Sequence, residues 1–268
     1  MSEKIAKPNY GNWVPAKIIL YSLGLCLFFG MTALALAFVF RMRSGLRTLP
    51  PVLLLFLSLL SLVASIYFVC ARYLFSYGGG GLQDKILDLL LERVNWDGKG
   101  KALDVGCGGG ALSIKVAQEY AGAEVTGIDY WGGMWEYSRK LCEKNAQAEK
   151  VGDRCAFLQA SASSLPFKDE SFDLVVSNLV FHEVKDVKDK RDAVKEALRV
   201  LKKGGKFAFQ DLFLIQRYFG EIDGLLAAMK NWGVRKADFV VTAQSPLIPK
   251  ALKLPFMVGT IAVIYGEK

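Results

Sequence analysis

A carboxylate, three spaced glycines and a second carboxylate are the residues of this chain whose order suggests chemistry. Asp104 stands in "KALDVGCGGGAL", two residues ahead of Gly106, Gly108 and Gly110, and Asp129 closes "VTGID" further on. A strand that breaks on glycine and runs into a helix lets the backbone approach a nucleotide. An acid ending the next strand can accept hydrogen bonds from ribose hydroxyls. Asn178 and His182, in "SNLVFHEV", add an amide and the single imidazole of the sequence. An imidazole titrates near neutral pH and suits a general base; a lone histidine after a strand also serves as a packing or helix-start residue.

Three nucleotides compete for the loop. A triphosphate needs Gly-Lys-Ser/Thr after the glycines, and here Gly110 is followed by Ala111-Leu112-Ser113. A nicotinamide dinucleotide and S-adenosylmethionine both carry the ribose that Asp129 would hold. Asp104 separates them, because a negative charge so close to the loop opposes a pyrophosphate and suits a cationic sulfonium. The third position of the dinucleotide fingerprint also holds Ala111 rather than glycine.

The elements that must position these residues follow from the hydrophobic pattern. Apolar runs predict strands at Ala102–Val105, Glu124–Ile128, Ala156–Gln159, Leu174–Ser177 and Lys206–Gln210. Amphipathic runs between them predict helices near Ala111–Tyr120, Met134–Ala146, Lys190–Leu201 and Glu221–Trp232, after an earlier one in "LQDKILDLLLERV". Such alternation is the pattern of an α/β, doubly wound, mostly parallel sheet. Two more strand-like runs, "ADFVVT" and "GTIAVIYG", close the chain.

With these motifs in order, the sequence resembles the class I S-adenosylmethionine-dependent methyltransferases, nearest the type 11 and quinone-biosynthesis branch. The resemblance runs from Leu82 to the C-terminus. It is carried by "ALDVGCGGG", "VTGIDY", "SSLPFKDESFDLVVSNLVFHEV" and "RVLKKGGKFAFQD". It implies a seven-stranded sheet with a reversed C-terminal hairpin and S-adenosylmethionine as cofactor. Gly106, Gly108 and Gly110 would then admit the methionine part of the cofactor, and Asp104 would orient the loop and attract the ammonium. Asp129 would hold the ribose, Tyr130 would pack on the adenine, and Asn178 would line the same edge. The family often has an acid in "G-D-A-x-x-L-P-F"; here Ser161 takes that position beside Ala162, so a hydroxyl or the Ala162 backbone would meet the adenine. His182 would be the catalytic residue where the reaction needs a base, although a sulfonium donor can react by alignment alone.

The front of the chain is of another kind. From Met1 to Tyr77 there are seven basic residues (Lys4, Lys7, Lys17, Arg41, Arg43, Arg47 and Arg72) against one acid, Glu3. "IILYSLGLCLFFGMTALALAFVF" (18–40) and "VLLLFLSLLSLVASIYFVCA" (52–71) carry no charge, and about 20 apolar residues suffice to cross a bilayer. Tyr10, Trp13, Tyr73 and Tyr77 flank them where interfacial aromatics lie. The expected organisation is a two-helix membrane anchor over 1–77, "YGGGG" as a hinge, and a methyltransferase domain over 78–268. Because the methyl donor is cytosolic, that domain is expected to face the cytosol.

The partners expected are the lipid bilayer and a hydrophobic acceptor: a lipid, a quinone-like ring or an isoprenoid. "LFLIQRYFG" (212–220) and "SPLIPKALKLPFMVG" (245–259) are candidates for its entrance, the second with the lysine-studded character of an interfacial segment. Nucleic acid is not expected, since the basic balance lies at the front and "SNLV" replaces the target-base motif Asn-Pro-Pro-Tyr. No metal is expected either: five scattered cysteines and one histidine offer no ligand spacing. A nicotinamide-dependent reductase and a non-catalytic cofactor-binding protein are the competing readings.

Overall fold

The computed structural model describes residues 7–41, 49–132 and 137–268. Met134, where a helix was expected to begin, and Lys4, Arg43 and Arg47 lie outside the described residues. The described residues divide into two units, one within Asn12–Gln83 and a larger one that takes in residues 7–11 and those from Asp84 to Lys268.

The smaller unit holds two long helices, α1 (Ala16–Arg41) and α2 (Leu49–Phe75). Pro50 and Pro51 sit in the first turn of α2, where a missing N–H leaves no bond unmade. Both helices are long and apolar enough to cross a membrane. Most of their leucines and several phenylalanines point outward: Leu34 is 68% exposed and Phe56 61%. A core helix of a water-soluble domain would bury that surface. The helices meet along a seam of small residues. Ser65 Oγ donates to Ser22 Oγ at 2.8 Å, Ser58 Oγ donates to the Cys26 carbonyl at 2.8 Å, and Gly30 faces Ser58. Small residues at four-residue spacing let apolar helices approach closely, and hydroxyl bonds then add direction. At one end of the pair, Asn12 Nδ2 donates to the Arg72 carbonyl at 2.8 Å and the Trp13 ring lies 5.6 Å from Phe75.

In the larger unit, the strands are β1 (Gly100–Val105), β2 (Ala123–Asp129), β3 (Cys155–Gln159), β4 (Phe172–Asn178), β5 (Leu201–Asp211), β6 (Lys236–Val241) and β7 (Ala262–Glu267). They form one sheet in the order β3-β2-β1-β4-β5-β7-β6, with β7 antiparallel to both its neighbours. The fold is the expected α/β one, including the reversed hairpin of β6 and β7. Helices α3 (Leu82–Leu91), α4 (Ala111–Glu119), α5 (Arg139–Ala148), α6 (Arg191–Arg199), α7 (Gln216–Phe219) and α8 (Ile222–Asn231) complete the chain.

Two cores cover the two sheet faces. One gathers Ala102, Val125, Leu174 and Val176 from the sheet with Leu87, Leu112 and Val116 from α3 and α4. The other gathers Leu103, Val175, Phe207 and Phe209 with Val194, Leu198, Leu225 and Met229 from α6 and α8. Burial on both faces is why the strands read as continuous apolar runs rather than alternating ones. The strand reading fell short for β5, which begins at Leu201: the lysines and glycines of "KKGGK" are in the strand as well. The register Asp211–Ala262–Val241 sets the ends of β5 and β6 level, so the connection 242–261 leaves from the same carboxyl edge as the glycine loop.

Candidate active site

The glycine loop leaves β1 at Gly106, whose N–H donates to the Ile128 carbonyl at 2.7 Å; Cys107 N–H shares that acceptor at 2.9 Å. Gly106 has φ +76°, and a Cβ there would stand 2.1 Å from the Val180 side chain. Only glycine fits that position on both counts. Gly110, at φ +85°, is the residue from which α4 starts. Gly108 is held from three sides: its N–H donates to Asp129 Oδ2 at 2.8 Å, and its carbonyl accepts from Trp131 Nε1 at 3.0 Å and Cys142 Sγ at 3.1 Å. The loop is therefore a built cradle at the carboxyl edge of the sheet, where ligands of open α/β sheets bind.

Asp104 lies under this loop, 1% exposed. Its Oδ2 accepts from Ser113 Oγ at 2.6 Å, while Oδ1 is buried with no partner among the described residues. Burial pushes its pKa up to about 7, against the hydrogen bonds from Ser113 and with help from the charge of Asp129. Two other buried oxygens lack a partner among the described residues, Asn178 Oδ1 and Gln210 Oε1. Asp104 is level with Val176 and Asn178 with Gln210, so all three share one sheet face at the carboxyl edge. Buried acceptors without donors are costly. Three on one face offer acceptors that could meet a ligand rich in donors, such as an ammonium. Gln210 was not singled out from the sequence, because nothing local distinguishes it from a strand-end polar residue.

Asp129 bridges the two loops. Besides Gly108, it accepts the N–H of Trp131 at 2.8 Å through Oδ1. Tyr130 points outward, 72% exposed, and its carbonyl accepts from Gln159 Nε2 at 2.8 Å. Trp131, at φ +40°, is the aromatic that turns onto the glycine loop. Ser161 Oγ donates to Asp186 Oδ2 at 2.9 Å, and Ser163 Oγ bonds the same oxygen. The bonds from Ser163 and Ser161 hold the Asp186 carboxyl below its ordinary range. A carboxylate thus reaches the serine loop from the segment after β4. Ala162 between them is buried in the core.

His182 sits in a short turn, Phe181–Glu183, after β4. Its Nδ1 lies 2.6 Å from Asp211 Oδ1, at the end of β5. Asp211 is fully buried and also accepts the N–H groups of Val180 (3.1 Å), Phe181 (2.7 Å) and Leu212 (2.7 Å). A carboxylate so placed favours the tautomer with the proton on Nδ1, which leaves Nε2 as the basic nitrogen. Burial works against charging the ring, but the bond and charge of Asp211 outweigh it, and the His182 pKa is raised. Tyr218 lies beside the ring, with centroids 5.9 Å apart. Of the first apolar entrance segment, Phe213 and Phe219 are fully buried and pack on one another. In the second, Leu247 is 50% exposed and Phe256 65%. Among the described residues no three His, Cys, Asp or Glu side chains cluster as a metal site.

Residues 103–209 match a family model described as a methyltransferase domain. The α/β unit has a methyltransferase fold. The chain is 35% identical over 116 residues to the O-methyltransferase rstn1 of Aspergillus nomiae, covering 42% of this chain and 47% of that protein. It is 32% identical over 117 residues to the demethylmenaquinone methyltransferase of Lactiplantibacillus plantarum, covering 43% and 46%. The chain spans about half the length of these curated relatives. Among solved structures, the geranyl diphosphate C-methyltransferase of Streptomyces coelicolor, in complex with Mg2+, geranyl diphosphate and S-adenosyl-L-homocysteine, superposes with a TM-score of 0.54. Identity to it is 15%, over 70% of this chain and 80% of that one. The matched stretch begins inside β1 and ends inside β5, so it contains Asp104, the glycine loop, Asp129 and His182.

Proposed function

We propose that this chain is a membrane-anchored methyltransferase that transfers the methyl group of S-adenosylmethionine to a hydrophobic acceptor. The observation that carries the reading is the cradle: a buried carboxylate with one oxygen unpartnered, beneath a glycine loop whose geometry admits no side chain at Gly106. The cationic methionine end of the cofactor suits Asp104, and the ribose suits Asp129. A pyrophosphate would meet repulsion from Asp104, which disfavours a nicotinamide coenzyme. When bound, the cofactor supplies an electrophilic methyl on sulfur; the protein aligns the acceptor with it and, where a proton must leave, offers His182 Nε2.

Cofactor binding should be linked to a proton. Without a ligand Asp104 titrates at about 7, and a neighbouring ammonium favours its ionised form. Binding below pH 7 therefore releases a proton. Affinity should rise with pH toward neutrality, by up to about tenfold per unit, and level off above it. Calorimetry at pH 6 in two buffers of different ionisation enthalpy reads the released proton directly.

The acceptor is argued from the edge above the site. Between Asp238 and Glu267 the sequence has no acid, and the connection 242–261 exposes Leu247, Leu254 and Phe256 with Lys250. A greasy, basic rim suits an acceptor delivered from a lipid surface. The helices α1 and α2 would hold the enzyme there and raise the local concentration of such acceptors. The methyl donor is made in the cytosol, so the domain works on that side. Membranes containing the protein, incubated with methyl-labelled S-adenosylmethionine, are expected to yield label in the lipid extract. Label confined to water-soluble acceptors would remove the hydrophobic acceptor while leaving the transfer reaction standing.

A further inference from the structure

We propose that Asn9–Gly11, the segment leading into the apolar helices, is a wall of the cofactor site, and that Asn145 is the positioning residue that holds it there. The inference rests on the reading of Gly106–Gly110 as the cofactor cradle.

Asn145, on α5, is 3% exposed. Its Oδ1 accepts the Asn9 N–H at 2.9 Å; its Nδ2 donates to the Asn9 carbonyl and to the Gly109 carbonyl, both at 2.8 Å. The partners fix the amide's orientation, since the reverse one would set two carbonyls against an oxygen. One buried side chain thus reads both backbone groups of Asn9 and ties them to the loop. The segment also lies against the loop: a Cβ on Gly109 would stand 3.5 Å from Tyr10 Cα and 3.6 Å from the Asn9 carbonyl. Tyr10 Oη donates to Glu149 Oε1 at 3.2 Å, past the end of α5. Gly11, at φ +70°, tucks beneath the Tyr137 ring, which in turn rests on Gly108 and Gly109. Burial raises the Tyr137 phenol, with Asp129 and Glu183 adding to the shift, so its hydroxyl lies within the field of the ribose carboxylate.

The peptide Gly108–Gly109 is therefore clamped between α5 and a segment nearly a hundred residues upstream. A loop that must aim backbone groups at a ligand gains affinity when it is held in place beforehand. By reciprocity, bound cofactor must hold the segment more firmly.

The test uses the full chain in nanodiscs with S-adenosylhomocysteine as probe. The homocysteine analogue is expected to slow amide exchange at residues 9–11, and Asn145→Ala to weaken its affinity by about tenfold and abolish that slowing. Arg139→Ala, which loses an exposed ion pair with Glu143 on the same helix as Asn145, should bind as the unmutated chain does. Binding that leaves exchange at 9–11 unchanged, or a folded Asn145→Ala that binds normally, overturns the proposal. If Asn145→Ala fails to fold, exchange in the unmutated chain decides alone. No binding at all by the unmutated chain would overturn the cofactor reading, and this inference with it.

Discussion

Asp129→Ala is expected to lower affinity for S-adenosylhomocysteine by at least about a hundredfold, as two or three charge-assisted hydrogen bonds would be lost at once. The carboxylate now holds the N–H of Gly108 and the N–H of Trp131, so it ties the glycine loop to the segment that carries the aromatic ring. In the cofactor reading it also meets the ribose, which adds to the loss. Calorimetry on the purified variant measures the affinity, and a melting curve separates it from folding. A purely structural role, capping the turn after β2, would instead lower the melting temperature and leave the affinity of the folded fraction intact. Equal affinity would take Asp129 out of the site.

The second large effect concerns the dyad. His182→Gln is expected to reduce turnover by roughly 10²–10⁴-fold with little change in KM, the range for loss of a general base. The ring works as a base only when neutral, and its folded pKa lies above the ordinary value near 6.5. Activity should therefore climb as pH rises through that raised value. Asp211→Asn removes the charge that outweighs burial, so the acidic limb should shift to lower pH while the plateau falls. Stability follows the opposite course. The pairing contributes fully below the unfolded pKa of the imidazole and fades as pH rises through the folded one. Unchanged turnover in His182→Gln would mean that alignment alone moves the methyl group and that the dyad serves to hold the turn after β4.

The parallel sheet was legible because its strands are buried on both faces, and the glycine loop because positive φ and close approach leave few residue choices. Asp104 and Asp129 were legible from their distance to that loop. The rest of the site depends on contacts between distant segments. Asp211 lay one residue past the expected strand Lys206–Gln210, and its pairing with His182 needs β4 and β5 side by side. Asp186 bonds Ser161 from beyond β4, which no local pattern signals. Asn145 reads as one polar residue of an amphipathic helix until Asn9 is brought to it. Which of two adjacent rings meets the glycine loop was not legible either: Trp131, at positive φ, bonds the Gly108 carbonyl, while Tyr130 beside it is exposed.

The seam between α1 and α2 works as a key cut at a single register. Ser22, Cys26 and Gly30 recur one helical turn apart, each opposite a serine hydroxyl or the space one needs. A helix advances about 100° per residue, so inserting one amino acid between Ser22 and Gly30 would swing the far half of α1 out of the lock. Leucine bulk would then meet the serines, and the pair would have to part or slide. Length and greasiness alone would not replace this hairpin, because its pitch is written in the small residues.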